Sequence, residues 1–235
     1  MAEVTLSAAP TGDGQERPSR LMRNPRTWLA IVQIMLHKLC CWWTLAKPVE
    51  WRTARVACLG LDGAGKTSVA SCVEGVKPSV QHEPTSGFNC RNARVAPHWQ
   101  LDLWDLGGSA LIRQYWSRYL TADTKILLFV VDAADRARFA EARAALDGAL
   151  AATDELPALL VLANKQDLPG AATTAEVSDA LGIAAGASAT RAAVLPISCA
   201  RAAAAGADAQ SASGLSDVLA WVSSALQSIS HVDDE

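Results

Sequence analysis

From residue 52 onward, apolar runs of strand length alternate with stretches in which apolar residues return every three or four positions. Runs at 55–61, 89–95, 99–104, 126–132, 158–163 and 193–197 predict strands. Stretches at 66–72, 111–120, 137–152, 174–181 and 215–229 predict helices. This alternation marks an α/β domain, here spanning 52–230, with a mostly parallel six-stranded sheet and helices on both faces. Pro97 between the second and third runs predicts a short turn, so that pair reads as an antiparallel hairpin. Residues 184–213 are rich in Ala, Gly and Ser, and 200–213 reads as an elongated surface loop.

The front of the chain has a different pattern. Residues 1–27 combine Pro and Gly with scattered polar residues and read as a disordered tail. Residues 28–46, WLAIVQIMLHKLCCWWTLA, carry His37 and Lys38 at their centre. A lysine at mid-membrane costs about 2.5 to 3.5 kcal/mol, and seven aliphatic residues at about 0.3 to 0.6 kcal/mol each do little more than cancel it. Gln33, His37 and Thr44 share one narrow helical face with Arg26, which suits an amphipathic, membrane-associated helix over 28–50 lying in the interface. Arg17, Arg20, Arg23 and Arg26 would favour anionic lipid, and in a true span they would violate the positive-inside tendency. A span and a helix packed on the domain's own surface stay open as alternatives. A secretory signal is disfavoured because the apolar run begins late and no small-residue cleavage site follows. Residues 231–235 read as an acidic tail.

Composition narrows the function classes. A net charge of -3 gives no reason to expect nucleic-acid binding. Six cysteines without a CxxC pair argue against a zinc site or a disulfide framework, so the thiols read as reduced and the compartment as cytoplasmic. Cys58, inside an apolar run, reads as a small buried hydrophobe. Four of the eight tryptophans (Trp28, Trp42, Trp43 and Trp51) fall before residue 52, while Trp99, Trp116 and Trp221 read as packing residues.

The chemistry lies in three loops. Gly60-Leu61-Asp62-Gly63-Ala64-Gly65-Lys66-Thr67 is a complete G-x-x-x-x-G-K-[ST] between an apolar strand and a helix. Its glycines let successive N–H groups face phosphate oxygens, the helix N-terminus adds partial positive charge, Lys66 bridges terminal phosphates, and Thr67 offers a hydroxyl to Mg²⁺. Gly60, Asp62, Gly63, Ala64, Gly65, Lys66, Thr67 and Ser68 are the expected nucleotide-contacting positions. Leu103-Trp104-Asp105-Leu106-Gly107-Gly108 ends a strand with a carboxylate that can hold Mg²⁺ through water, and with Gly108, whose N–H can approach a terminal phosphate. Asn164-Lys165-Gln166-Asp167 follows the fifth run; a carboxylate there accepts two hydrogen bonds from guanine, which adenine cannot offer. GTP or GDP is the expected ligand, with Mg²⁺.

With these motifs in order, residues 53–230 resemble a small GTPase of the ADP-ribosylation factor-like family. The resemblance rests on GLDGAGKTS, Glu83-Pro84-Thr85-Ser86-Gly87-Phe88-Asn89, WDLGG, FVVDAADR, NKQDLP and Ser198-Cys199-Ala200. It implies a P-loop NTPase fold and Thr85 as a Mg²⁺ and terminal-phosphate residue, acting with Lys66 and Gly108 in catalysis. It implies Cys199 and Ala200 at the guanine, and Phe88, Trp104 and Tyr119 as an effector surface. It further implies a monomer served by an exchange factor, a GTPase-activating protein and effectors at a membrane surface on the cytosolic side, in trafficking or signalling. Two departures stand out. The glutamine that usually follows D-x-G-G is Ser109, as in a divergent subgroup, and a side chain this short predicts slow hydrolysis. Ala2 replaces the myristoylated glycine of many relatives, while Cys40-Cys41 offers an acylation site or merely two apolar-face cysteines. The resulting readings are a slow GTP-hydrolysing switch or a hydrolysis-deficient GTP-binding scaffold. A domain that has lost nucleotide is a remoter third.

Overall fold

The computed structural model describes residues 51–78, 84–95, 98–153, 158–183, 191–204 and 213–233, together with 32, 33, 35, 36 and 38. The chain divides into two units, Met1–Val49 and Glu50–Glu235. In the first unit the five described positions are helical and exposed, Val32, Met35 and Leu36 among them. The tail 1–27, the remainder of the expected helix 28–50 and Cys40-Cys41 lie outside the described residues. Among the described residues no helix is long and apolar enough to cross a membrane.

In the second unit, one sheet runs in the order β2-β3-β1-β4-β5-β6. Its strands are β1 (Arg52–Leu59), β2 (Phe88–Val95), β3 (Trp99–Leu106), β4 (Thr124–Asp132), β5 (Ala158–Asn164) and β6 (Arg191–Pro196). Only the edge hairpin is antiparallel, with Phe88 opposite Leu106 and Val95 opposite Trp99. The remaining pairs are parallel. The helices are α1 (Lys66–Glu74), α2 (Ala110–Arg113), α3 (Phe139–Ala151), α4 (Thr174–Leu181), α5 (Cys199–Ala204) and α6 (Leu215–Asp233).

Both sheet faces are covered, so the central strands are continuously apolar, and alternation along them deals residues to two cores. Val56, Cys58, Ile126, Leu128, Leu160 and Leu162 pack with Val69 and Val73 of α1 and with Val218, Val222 and Leu226 of α6. Their neighbours Ala57, Leu59, Leu127, Phe129, Leu159 and Val161 pack with Trp116, with Leu146 of α3 and with Val177 of α4. Each fully buried large side chain contributes about 1.5 to 3 kcal/mol, which keeps the strand tips, and the loops hung on them, in fixed relation.

Several sequence boundaries are corrected. The expected helix 111–120 is instead the short α2 followed by a 3₁₀ turn at Trp116–Arg118. The Trp116 indole N–H donates to the Gly107 carbonyl at 3.0 Å, and its ring meets Phe129 edge to face. A continuous helix from 111 would carry residue 116 about 7.5 Å onward along its axis, away from residue 107, so burying this tryptophan requires the chain to turn back. The helix expected from 137 begins as a 3₁₀ turn, Arg136–Arg138, before α3. The loop expected over 200–213 opens with α5, since alanine runs favour helix wherever a neighbouring loop caps them. The helix expected over 215–229 continues through Asp233 as α6. Trp99 and Trp221 do pack against the core as expected, whereas Trp51 is exposed.

Candidate nucleotide-binding site

The site lies where loops leave the carboxyl ends of β1, β3, β5 and β6, the edge at which open α/β sheets bind ligands. After β1 the chain curls through residues 60–65 into α1. Gly65 takes φ 93° at the helix start, and a Cβ there would collide with the Asn164 side-chain amide. Glycine is therefore required both by conformation and by contact. Lys66 is buried and donates from Nζ to the Leu61 carbonyl at 2.8 Å, closing the loop on itself. Burial holds its ammonium below the ordinary lysine range, partly offset by the nearby carboxylates of Asp105 and Asp62. A cation already stripped of water gains most from an incoming phosphate.

At the tip of β3, three oxygen-bearing side chains converge. The Thr67 hydroxyl donates to Asp105 Oδ2 at 2.7 Å and lies 3.2 Å from the Thr85 hydroxyl. Asp105 is fully buried, and its Oδ1 has no hydrogen-bond partner. Burial pushes its carboxyl above the usual carboxylate range, while the Thr67 hydroxyl and Lys66 draw it back. A buried carboxylate with one oxygen orphaned and the other held by a hydroxyl, with a second hydroxyl adjoining, is a set of hard donors that suits Mg²⁺. Among the described residues there is no cluster of three or more His, Cys, Asp or Glu, so a softer metal has no cage. Beyond Asp105, Gly108 lies against the phosphate loop; a Cβ on it would strike Gly60 O, the Asp62 N and the Leu61 carbonyl carbon. Ser109 opens α2 with its backbone carbonyl, which accepts from Ile112 and Arg113, and its side chain makes no cap.

Asn164 joins the two halves of the site. Its Nδ2 donates to Ala64 O at 2.8 Å, and its Oδ1 accepts from the Cys199 backbone N–H at 3.5 Å. Lys165 takes a positive φ of 66° and pairs with Asp132 at 2.6 Å. Such a conformation in a non-glycine residue costs about 1 to 3 kcal/mol and is found mainly at functional sites. Asp167 is exposed, and its Oδ1 accepts from the Ser198 hydroxyl at 2.5 Å, which fixes the carboxylate's rotation. These groups border a cavity of about 490 Å³ shared by Gly65, Ser68, Asn164, Asp167, Cys199 and Ala200.

The structure thus gathers the phosphate-loop residues, Thr85, Asp105 and Gly108 at one end and Asn164, Lys165, Asp167, Cys199 and Ala200 at the other. Phe88, Trp104 and Tyr119 form a separate aromatic patch, with ring centroids 5.1 to 6.1 Å apart. The Arg55 guanidinium sits 4.0 Å from the Trp104 centroid. Sequence reasoning missed Ser198 as a site residue, although it stood inside a quoted motif. It also missed Asp132, which stood inside FVVDAADR, and Arg138, which nothing local marks because its partner lies across a loop.

This fold and this pair of subsites define a P-loop nucleotide-binding domain. The profile of the ADP-ribosylation factor family matches residues 44–226, and the chain belongs to that family of small GTPases, GTP-binding switches. ADP-ribosylation factor-like protein 1 of Saccharomyces cerevisiae is 44% identical over 131 residues, 55% of this chain and 69% of that protein. Human ADP-ribosylation factor-like protein 9 is 40% identical over 148 residues, 60% of this chain and 75% of that protein. Mouse ADP-ribosylation factor-like protein 10 is 38% identical over 135 residues, 57% of this chain and 54% of that protein. The fold also matches the Arl6 BBS3 small GTPase of Trypanosoma brucei, solved with a bound nucleotide analogue, GppNp. That match has TM-score 0.58 and 23% identity, and covers 74% of this chain and 98% of that one.

Proposed function

We propose that the chain is a Mg²⁺-dependent GTP/GDP switch with slow intrinsic hydrolysis that works at the cytosolic surface of a membrane. The observation that carries this reading is the meeting of the Thr67 and Thr85 hydroxyls with the buried Asp105 carboxylate, whose Oδ2 accepts from Thr67 and whose Oδ1 has no partner. Thr67, Thr85 and Asp105, the last through water, would hold Mg²⁺, which when bound neutralises charge between the terminal phosphates. Lys66 and the N–H groups of residues 60–68 bind the phosphates. Gly108 presents its N–H to the terminal one, and Asp167, aligned by Ser198, selects guanine. Thr85 meets the site only while its loop is drawn in, so the terminal phosphate and the loop favour each other. Phe88, Trp104 and Tyr119, on the adjoining hairpin and turn, offer effectors a surface coupled to that loop. Exchange factors and activating proteins are the corresponding regulators, and the domain acts as a monomer.

Ser109 supports slow hydrolysis, because a side chain of this length cannot orient water as a glutamine does. It equally favours the second reading, a GTP-binding scaffold that hardly hydrolyses. GTP turnover measured with and without cell extract separates them: stimulated turnover supports the switch, and none supports the scaffold. The membrane role draws on the amphipathic pattern of 28–50, of which Val32, Met35 and Leu36 are exposed on helical backbone. Flotation with anionic vesicles, lost on deleting 1–50, would support it; equal flotation without that segment would not. Calorimetric titration tests the core of the proposal. GTP and GDP should bind with Mg²⁺, weaken on chelation, and outcompete ATP by about a hundredfold or more. Equal ATP affinity would overturn it.

A further inference from the structure

Between the phosphate loop and the turn after Gly108 runs a chain of alternating charges that the binding chemistry does not use. Arg138 donates from Nη2 to Asp62 Oδ1 at 2.7 Å and from Nη1 to the Asp62 carbonyl at 3.2 Å. Its Nε donates to Glu141 Oε2 at 2.8 Å. The other Glu141 oxygen, Oε1, accepts from Arg113 Nη2 at 2.6 Å. Asp62 belongs to the phosphate loop, Glu141 to α3, and Arg113 to α2, four residues beyond Ser109. Both oxygens of Glu141 are occupied, and the Arg138 fork is spent on two partners, so neither can shift alone.

Two observations give this chain a task. Residues 61–64 border a cavity of about 170 Å³ on the side of Val130, Phe139 and Ala142, so packing alone does not back the loop there. Gly108 leans directly on the loop's backbone at Gly60, Leu61 and Asp62. A movement of the loop is therefore felt at Gly108 by contact and at Arg113 through charge. Ser109 makes no cap with its side chain, and Arg113 ties the far end of the turn to α3 through Glu141. The Arg138 guanidinium also holds the Asp62 carboxyl below the usual carboxylate range.

We infer that Arg138 is a positioning residue: through Asp62 and through Glu141 to Arg113 it couples the phosphate loop to the Gly108–Arg113 turn, and so sharpens preference for a nucleotide bearing the terminal phosphate. This rests on the GTP/GDP reading above. It touches no ligand itself. The bridges are half exposed, so each alone is weak and the effect depends on the chain acting as one unit and on ionic strength.

The test uses the full chain loaded with GDP or with a non-hydrolysable GTP analogue, following release of each. Arg138→Gln should speed release of the analogue about fivefold more than release of GDP, and leave discrimination against ATP unchanged. Arg138→Lys, which keeps the charge but loses the fork, should restore little. Arg113→Gln should give the same asymmetry, and the double variant should be no worse than the stronger single one. Raising salt to about 0.5 M should shrink the wild-type advantage. Equal acceleration of both nucleotides, changes within about twofold, or additive effects in the double variant would overturn the coupling. Glu141→Gln provides the same readout if Arg138→Gln does not fold. Wild type that retains neither nucleotide would overturn the GTP/GDP reading and this one together; with wild-type binding intact, the ratio bears on the coupling alone.

Discussion

The hydroxyls of Thr67 and Thr85 lie 3.2 Å apart, although one opens α1 and the other sits in the loop before β2. Thr67 is fixed by its hydrogen bond to Asp105, and Thr85 joins the pair from the loop before β2. In the switch proposed above, whatever occupies the space between the threonines and the phosphate loop sets the loop's position.

Thr85→Ala should therefore weaken binding of a GTP analogue far more than binding of GDP. A hydrogen bond to a charged group is worth about 1.5 to 3 kcal/mol, or roughly tenfold to a hundredfold in affinity. Parallel titrations with both nucleotides check it; an equal loss for both would show that Thr85 does not sense the terminal phosphate.

Base selection should rest on Asp167. Asp167→Ala should cut the preference for GTP over ATP by about a hundredfold or more, since a guanine edge left without its acceptor loses two hydrogen bonds. Ser198→Ala, which frees the carboxylate without removing it, should cost about tenfold. Competition binding ranks the two, and a greater loss at Ser198 than at Asp167 would contradict the assignment.

Ser109→Gln should raise single-turnover hydrolysis by about tenfold or more, because the longer amide can orient the attacking water at the turn's leading position. Affinity should change little, since Ser109 makes no side-chain cap whose loss would disturb the turn. Wild-type hydrolysis already as fast as that of a glutamine-bearing relative would remove the premise.

Acid stability should report on Glu176. Its carboxylate accepts from Arg136 at 2.8 Å and 3.0 Å, and it completes a capping box with Thr173 at the start of α4. These donors, Arg136 first, hold its carboxyl down to about 2 against an ordinary 4.5. The folded value is the lower, so the stabilisation is present above about pH 4.5 and is lost as pH falls toward 2. Glu176→Gln should melt earlier than wild type at neutral pH, with the gap closing across that window and narrowing in high salt. A gap independent of pH would contradict it. Thr173→Ala, which removes the other half of the box, should cost about 0.5 to 2 kcal/mol by thermal melts.

The sheet and the phosphate loop were legible in the sequence because both rest on local patterns. Apolar runs fix strands buried on two faces, and G-x-x-x-x-G-K-T is a loop whose spacing is its mechanism. What stayed hidden depends on distant partners. The break at Trp116 follows from a bond to Gly107 and a ring contact with Phe129. The Asp62 to Arg138 contact spans 76 positions and Ser198 to Asp167 spans 31, so no window along the chain could pair them. The start of α5 was misread because its alanines resemble a loop by composition while favouring helix by propensity.

The aromatic patch supplies the most direct measurement of a nucleotide-driven switch. Trp104 stacks on Phe88 at 5.3 Å and lies 6.1 Å from Tyr119, and Phe88 leads the hairpin that follows Thr85. Tryptophan emission should be followed while GDP is exchanged for a non-hydrolysable GTP analogue, in wild type and in Trp104→Phe. The expected result is a clear change in wild type that largely disappears in Trp104→Phe. No change in wild type, or an equal change in the variant, would contradict a switch that passes nucleotide state to this surface.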